Sequence, residues 1–220
     1  MKTRPAEIEN GSMEIIRAEL TQRGTALPPE NAAVILRCIH ASADFDYAEN
    51  LRFTPGAVGA AVEALRRGAE IVTDTNMALA GVSRPSLQRL GGAAYCFMAD
   101  ERIIENARVH GTTRAVAAVD WAAAHHPAAI LAVGNAPTAL LRIAEKIEAG
   151  LRPALVIGVP VGFVNVVESK ERVLETCERY AVPAIVALGR KGGSSIAAAV
   201  CNALLYTAAD MLDPKERGWQ

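Results

Sequence analysis

His40 closes the run RCIH, three residues after Arg37 and directly after the apolar Cys38 and Ile39. An imidazole titrates near neutrality, so a histidine at the edge of an apolar helix face is suited to general acid–base work. A lone histidine there is more often a satisfied core or boundary residue, and the residues alone leave both readings open. A second kind of chemistry lies in three glycine loops: GNAPTALL (134–141), GVPVGFVNVVESKE (158–171) and GRKGGSS (189–195). Each follows an apolar run and leads into a helical pattern, where free backbone N–H groups and the helix dipole favour anions. Around these loops or helix starts stand Arg17, Arg114, Lys170, Arg190 and Lys191, with Asn135, Thr138, Ser194 and Ser195. Together they could hold several anionic groups through charge-assisted hydrogen bonds of roughly 1.5–3 kcal/mol each. Taken singly, each cation also reads as solvated surface charge, and a tight strand–helix turn needs glycine for geometry alone.

Other chemistries fit less well. GRKGGSS is not a phosphate-binding G-x-x-x-x-G-K-[ST] loop, because Lys191 precedes the glycine pair. No G-x-G-x-x-G follows the first strand pattern, and no G-x-S-x-G marks a serine hydrolase. His125 and His126 end a helical run before Pro127, and His110 precedes Gly111; none belongs to a spaced metal-ligand set. Cys38, Cys96, Cys177 and Cys201 form no C-x-x-C pair and read as small apolar residues of a reducing compartment. A net charge of −1 gives no general attraction for nucleic acid. The first residues lack the apolar core of a secretory signal, and no apolar run reaches the length of a membrane span, so a cytoplasmic protein is expected.

The elements that must position these groups follow from hydrophobic periodicity. Aromatic residues make up only 5% of the chain, so the core is built from Ala, Val, Leu and Ile, as in stacked helix–sheet layers. An amphipathic helix is expected from about Ser12 to Gly24, and a second, opened by Pro28-Pro29, runs to His40. ASADFDYAENLRF (41–53) reads as a loop, and Thr54-Pro55 as a cap and first turn of a helix reaching Gly68. Five strands follow at 70–73, 93–98, 128–133, 154–157 and 184–188. Helices are expected at 100–108, 113–125, 137–150, 167–180 and 194–208. The alternation predicts one α/β domain over 1–220. In it, a three-layer α/β/α core with a mainly parallel five-stranded sheet (69–208) follows an N-terminal helical segment (12–68). The tail DPKERGWQ reads as a frayed end. In open parallel sheets ligands bind at the carboxyl ends of the strands, where the three glycine loops fall.

IIRAE (15–19), RCIH (37–40), TDTNMALAG (73–81), GTTRA (111–115), GNAPTALL, GVPVGFVNVVESKE and GRKGGS occur in this order along nearly the whole chain. In these motifs the sequence resembles the precorrin-8X methylmutase family of cobalamin biosynthesis; TDTNMALAG, VNVVESKE and GRKGG are closer to its anaerobic, cobalt-precorrin-8 branch. The resemblance implies an isomerase that moves a methyl group from C-11 to C-12 of a corrinoid tetrapyrrole, with or without cobalt in the ring. It implies no cofactor and a homo-oligomer, a homodimer or higher. The family's catalytic histidine falls on His40, as general acid toward a ring nitrogen. The motifs add Thr75, Met77 and Gly192 to the substrate-contacting set, with Ser169 and Lys170 as polar contacts of the second glycine loop. The carboxylate-fringed ring would explain three anion-friendly loops around one cleft. Asp44 and Asp46 receive no role. Two further readings stand beside this one: a corrinoid-binding protein without catalysis, and a small phosphate-binding α/β enzyme.

Overall fold

The computed structural model of the protein describes residues 3–218. The chain opens with α1 (Pro5–Gln22), α2 (Ala32–Ser42), the single turn α3 (Tyr47–Asn50), strand β1 (Leu51–Phe53) and α4 (Ala57–Arg66). There follow β2 (Ile71–Thr73), α5 (Asn76–Gly81), α6 (Arg84–Arg89), β3 (Ala94–Tyr95), α7 (Glu101–Val109) and α8 (Arg114–His125). The remainder is β4 (Ile130–Val133), α9 (Pro137–Glu148), β5 (Leu155–Gly158), α10 (Val166–Arg179), β6 (Ala184–Ala187), α11 (Ser194–Ala208) and a 3₁₀ turn, Pro214–Arg217.

The strands form one sheet in the order β1-β6-β5-β4-β2-β3, parallel throughout except for β1. Strand alternation divides the core between two helical layers. Ile130, Ala132, Leu155, Ile157, Ile185 and Ala187 face α1, α2, α4 and α11. Leu131, Val133, Val156, Ala184 and Val186 face α8, α9 and α10. Because both faces are covered, the central strands are apolar at every position, and their continuous apolar runs were therefore readable. From β2 the chain winds outward to β3 on one side and to β4, β5 and β6 on the other. The winding reverses between β2 and β4, which opens a crevice above their carboxyl ends.

Four expectations are corrected. The sheet has six strands rather than five, because Leu51–Phe53 pairs antiparallel with β6, in register Leu51 with Ala187 and Phe53 with Ile185. The stretch 41–53, read as a loop, thus holds α3 and an edge strand. Thr54 caps no helix: its hydroxyl accepts the Ala184 N–H at 2.8 Å, and α4 begins only at Ala57. The first helix starts seven residues before Ser12, at Pro5, where a proline needs no N–H partner. The tail is docked as far as Arg217, whose guanidinium donates to the buried Glu9 carboxylate at 2.5 Å. Arg37 donates to the same oxygen at 2.8 Å, and both guanidiniums lie over the Tyr206 ring. Burial pushes the Glu9 carboxyl upward, but the two arginines outweigh it and hold it below its ordinary value. Trp219 and Gln220 lie outside the described residues. The short α5 and α6 had not been expected.

Candidate active site

At the β2–β4 crevice the expected anion cradle is already filled from within. Asp74, directly after β2, accepts the backbone N–H groups of Gly134, Asn135 and Ala136, each at 2.8 Å. These donors lie at the N-terminus of α9, so a carboxylate of the chain itself occupies the place where an external anion was expected. Burial raises the Asp74 carboxyl above its ordinary value, while the three N–H donors pull the other way. Asp74 was missed in the sequence, although an acidic residue ending an apolar strand run was a visible signal. The next residue, Thr75, caps α5 by accepting the Ala78 N–H, and its hydroxyl stands 2.7 Å from that of Ser194 at the start of α11. Thr113 and Thr138 hydroxyls approach to 3.3 Å, which brings the GTTRA segment with Arg114 to the same rim. Asn135 and Arg114 are exposed there, Arg114 donating to the Met98 carbonyl at 3.3 Å. Met77 is 72% exposed.

The three glycine loops do converge, and their glycines serve the contact between them. A Cβ on Gly134 would lie 2.8 Å from the Ser194 Cα, and one on Gly192 would lie 2.1 Å from the Val159 carbonyl oxygen. Gly192→Ala is accordingly expected to destabilise the fold by on the order of 3 kcal/mol or more, because the obstacle is backbone. Gly189→Ala, at φ +72° with open space around it, should cost only about 1–2 kcal/mol. Urea unfolding of the two variants checks the contrast.

Two proposed substrate contacts in the middle loop are corrected. Ser169 and Lys170 are fully buried, so neither side chain can meet a ligand in this conformation. Ser169 Oγ donates to the Val166 carbonyl of its own helix. Lys170 Nζ donates to the carbonyls of Gly189 and Lys191, each at 2.8 Å, and so ties α10 to the loop after β6. Lys191 is exposed at the rim, its ammonium paired with Asp44 at 2.7 Å and Asp46 at 2.5 Å. Arg190 remains exposed, with its guanidinium over the Phe163 ring. Phe163, Val164 and Val161 are themselves 80%, 77% and 48% exposed, an apolar tip on the rim.

His40 stands in the last turn of α2 and lines a groove of about 310 Å³ with Ser12, Ile15, Ile16, Glu19, Ile39, Ala43 and Phe45. The other histidines are satisfied inside the chain: His110 and His125 bond carbonyls of their own helices, and His126 bonds Glu70 at 2.6 Å. Among the described residues nothing is hydrogen-bonded to the His40 ring, which separates it from an ordinary boundary histidine. Burial lowers its pKa, and Arg37 lowers it further, against the opposing pull of Glu9. Both effects favour the neutral imidazole in the free protein, and a nearby anion would help it to hold a proton. None of the rim residues lines this groove. Arg17 lies on the other flank of α1, in a groove with Met13, Leu36 and Arg37, apart from His40.

The sequence pattern of the family described as precorrin-8X methylmutase matches residues 7–207. A cobalt-precorrin-8 methylmutase of Leptospira interrogans is 43% identical over 92% of this chain and 93% of its own length. One of Salmonella typhimurium is 45% identical over 81% and 82%. The crystal structure of a precorrin-8X methylmutase from Thermus thermophilus superposes with a TM-score of 0.83 at 41% identity, covering 92% of this chain and 98% of that one.

Proposed function

The chain belongs to the precorrin-8X methylmutase family, isomerases that carry out a methyl migration in cobalamin biosynthesis, and from that premise we propose how its residues divide the work. The substrate is a corrinoid tetrapyrrole. His40, protonated, donates to a ring nitrogen and so eases the shift of the methyl group from C-11 to C-12; the proton returns to the imidazole afterwards. The observation that carries this is the unpartnered His40 ring in its groove, when every other histidine is engaged by the protein. The ring's acetate and propionate carboxylates are held by Arg114, Arg190, Asn135, Thr138, Thr75 and Ser194. Gly192 lets the loops close up beneath them, and Met77 and Phe163 offer apolar surface to the macrocycle. These carboxylates also supply the negative charge that raises the His40 pKa once substrate is bound.

The relatives of 43% and 45% identity carry the cobalt form in their names, which supports a substrate already holding cobalt. Incubating the purified chain with precorrin-8 in its cobalt-containing and cobalt-free forms tests the reading. The expected result is a change in the visible spectrum, faster with cobalt, as the macrocycle becomes conjugated. Binding without spectral change would favour a carrier instead.

The protein acts as a homo-oligomer in this reading, and two observations support it. A 310 Å³ groove is at the low end of small-molecule sites and cannot alone enclose a tetrapyrrole. The rim that offers carboxylate contacts adds no residue to the lining of that groove and carries an exposed apolar tip. A second copy that lays its rim over the first copy's His40 groove completes the site. A cytoplasmic setting fits the four free thiols, three of them buried; no described helix is long and apolar enough to cross a membrane.

A further inference from the structure

Lys170 has no exposed surface, and its environment offers carbonyls in place of a counter-ion. An ammonium is costly to bury unless something specific requires it there. Here both acceptors belong to the loop between β6 and α11, the carbonyls of Gly189 and Lys191. The same residue whose carbonyl Lys170 grips, Lys191, sends its own ammonium outward to Asp44 and Asp46. These two carboxylates lie four and six residues after His40, just past the left-handed Ala43 that ends α2. Asp44 also accepts the Asp46 N–H at 3.0 Å, and the Ser42 hydroxyl accepts the Asp44 N–H at 3.2 Å, so the segment is stiffened locally. The path from α10 through the loop backbone to the end of α2 is therefore unbroken.

We propose that Lys170 and Lys191 are positioning residues, which together anchor the α2 terminus bearing His40 to the β6–α11 loop. Lys170 sets the loop from below, and Lys191 carries that position across to the histidine segment. Neither ammonium needs to touch the substrate. The cost of burying Lys170 is partly visible in its titration, since burial alone draws its pKa down to about 8, still protonated at neutral pH. The role follows from the geometry of proton transfer: a misplacement of about 1 Å can cost on the order of a hundredfold in rate.

This inference rests on the assignment of His40 as the acid, and the test keeps the two apart. Lys191→Met and the paired Asp44→Asn, Asp46→Asn change side chains that are exposed or, for Asp44, partly exposed, and should leave the fold intact. Each is expected to lower kcat about tenfold while the affinity for the ring, read by absorbance titration, stays at the wild-type value. Combining them should cost no more than either alone, because both cut the same link. Lys191→Asp with Asp46→Lys restores the pairing in reverse and should recover most of kcat. Lys170→Met should lower kcat at least as much; should it fail to fold, the exposed variants carry the test. Wild-type kcat in the exposed variants, additive losses without rescue, or a weakened ring affinity at unchanged kcat would each overturn the proposal. His40→Ala runs beside them: full turnover there sinks the acid assignment, whereas a dead His40→Ala with unaffected link variants sinks only the positioning role.

Discussion

Replacing His40 by alanine is expected to lower kcat by about 10²–10⁴-fold, the usual range for a lost proton-transfer group, with binding of the ring retained. That is roughly 2.7–5.4 kcal/mol of barrier. The fold should tolerate the change. Among the described residues no group bonds the imidazole, so its removal orphans no buried donor or acceptor, and the groove it lines is already open. This distinguishes His40 from His126, whose removal would break its 2.6 Å bond to Glu70. The pH dependence has a definite sign. An acid must be protonated, and in the free protein burial and Arg37 depress the His40 pKa below its ordinary value. Activity measured as kcat/KM should therefore rise as pH falls through the lower part of the histidine range. In the complex, ring carboxylates favour the imidazolium, so the same limb in kcat should lie at higher pH. Coincident limbs, or a kcat for His40→Ala equal to the wild type, would remove His40 from the mechanism.

What could be read in the sequence depended on where the governing interactions lay. The central strands were legible because a strand covered on both faces must be apolar at each position, as in Ile130–Val133 and Leu155–Gly158. β1 was not legible. Three residues at a sheet edge bury Leu51 and expose Arg52, and only the antiparallel pairing with β6 makes them a strand. Thr54 shows the same limit: Thr-Pro is a sound helix-start signal, but the hydroxyl is claimed by Ala184, 130 residues away. The docked tail depends on a buried carboxylate on α1 that no local pattern links to Arg217.

The site divides in a similar way. His40 and the glycine loops were visible as residue types, and the convergence of the loops was inferable from strand order. The use made of each charge was not. A lysine next to a glycine loop has the same sequence signature whether it greets a ligand, as expected of Lys170, or braces backbone carbonyls, as found. Asp74 and Lys170 are complementary in this respect. One takes up backbone N–H groups after β4, the other backbone carbonyls after β6, while Arg114 and Arg190 stay exposed at the rim.

Two inactive variants mixed together should regain activity if His40 and the rim act across two copies of the chain. Arg114→Ala with Arg190→Ala removes two exposed cations from the rim. At roughly 1.5–3 kcal/mol for each charge-assisted contact, the double variant should lose about 10²–10⁴-fold in kcat/KM. His40→Ala is inactive for the separate reason given above. In a twofold dimer assembled at random from equal amounts, half the dimers are mixed. One of the two sites in a mixed dimer joins an intact His40 to an intact rim; the other carries both lesions. Co-expression should therefore restore about a quarter of the wild-type rate, from two parents that are each nearly silent. If His40 and the rim instead serve one ring on the same chain, every site in the mixture carries one lesion and the rate stays at the parental level. The outcome turns on a geometric fact of the single chain: the groove around His40 is walled by α1 and α2, and the residues fit to hold carboxylates stand around the β2–β4 crevice. A monomeric mass by sedimentation would decide against the shared site before any mixing was done.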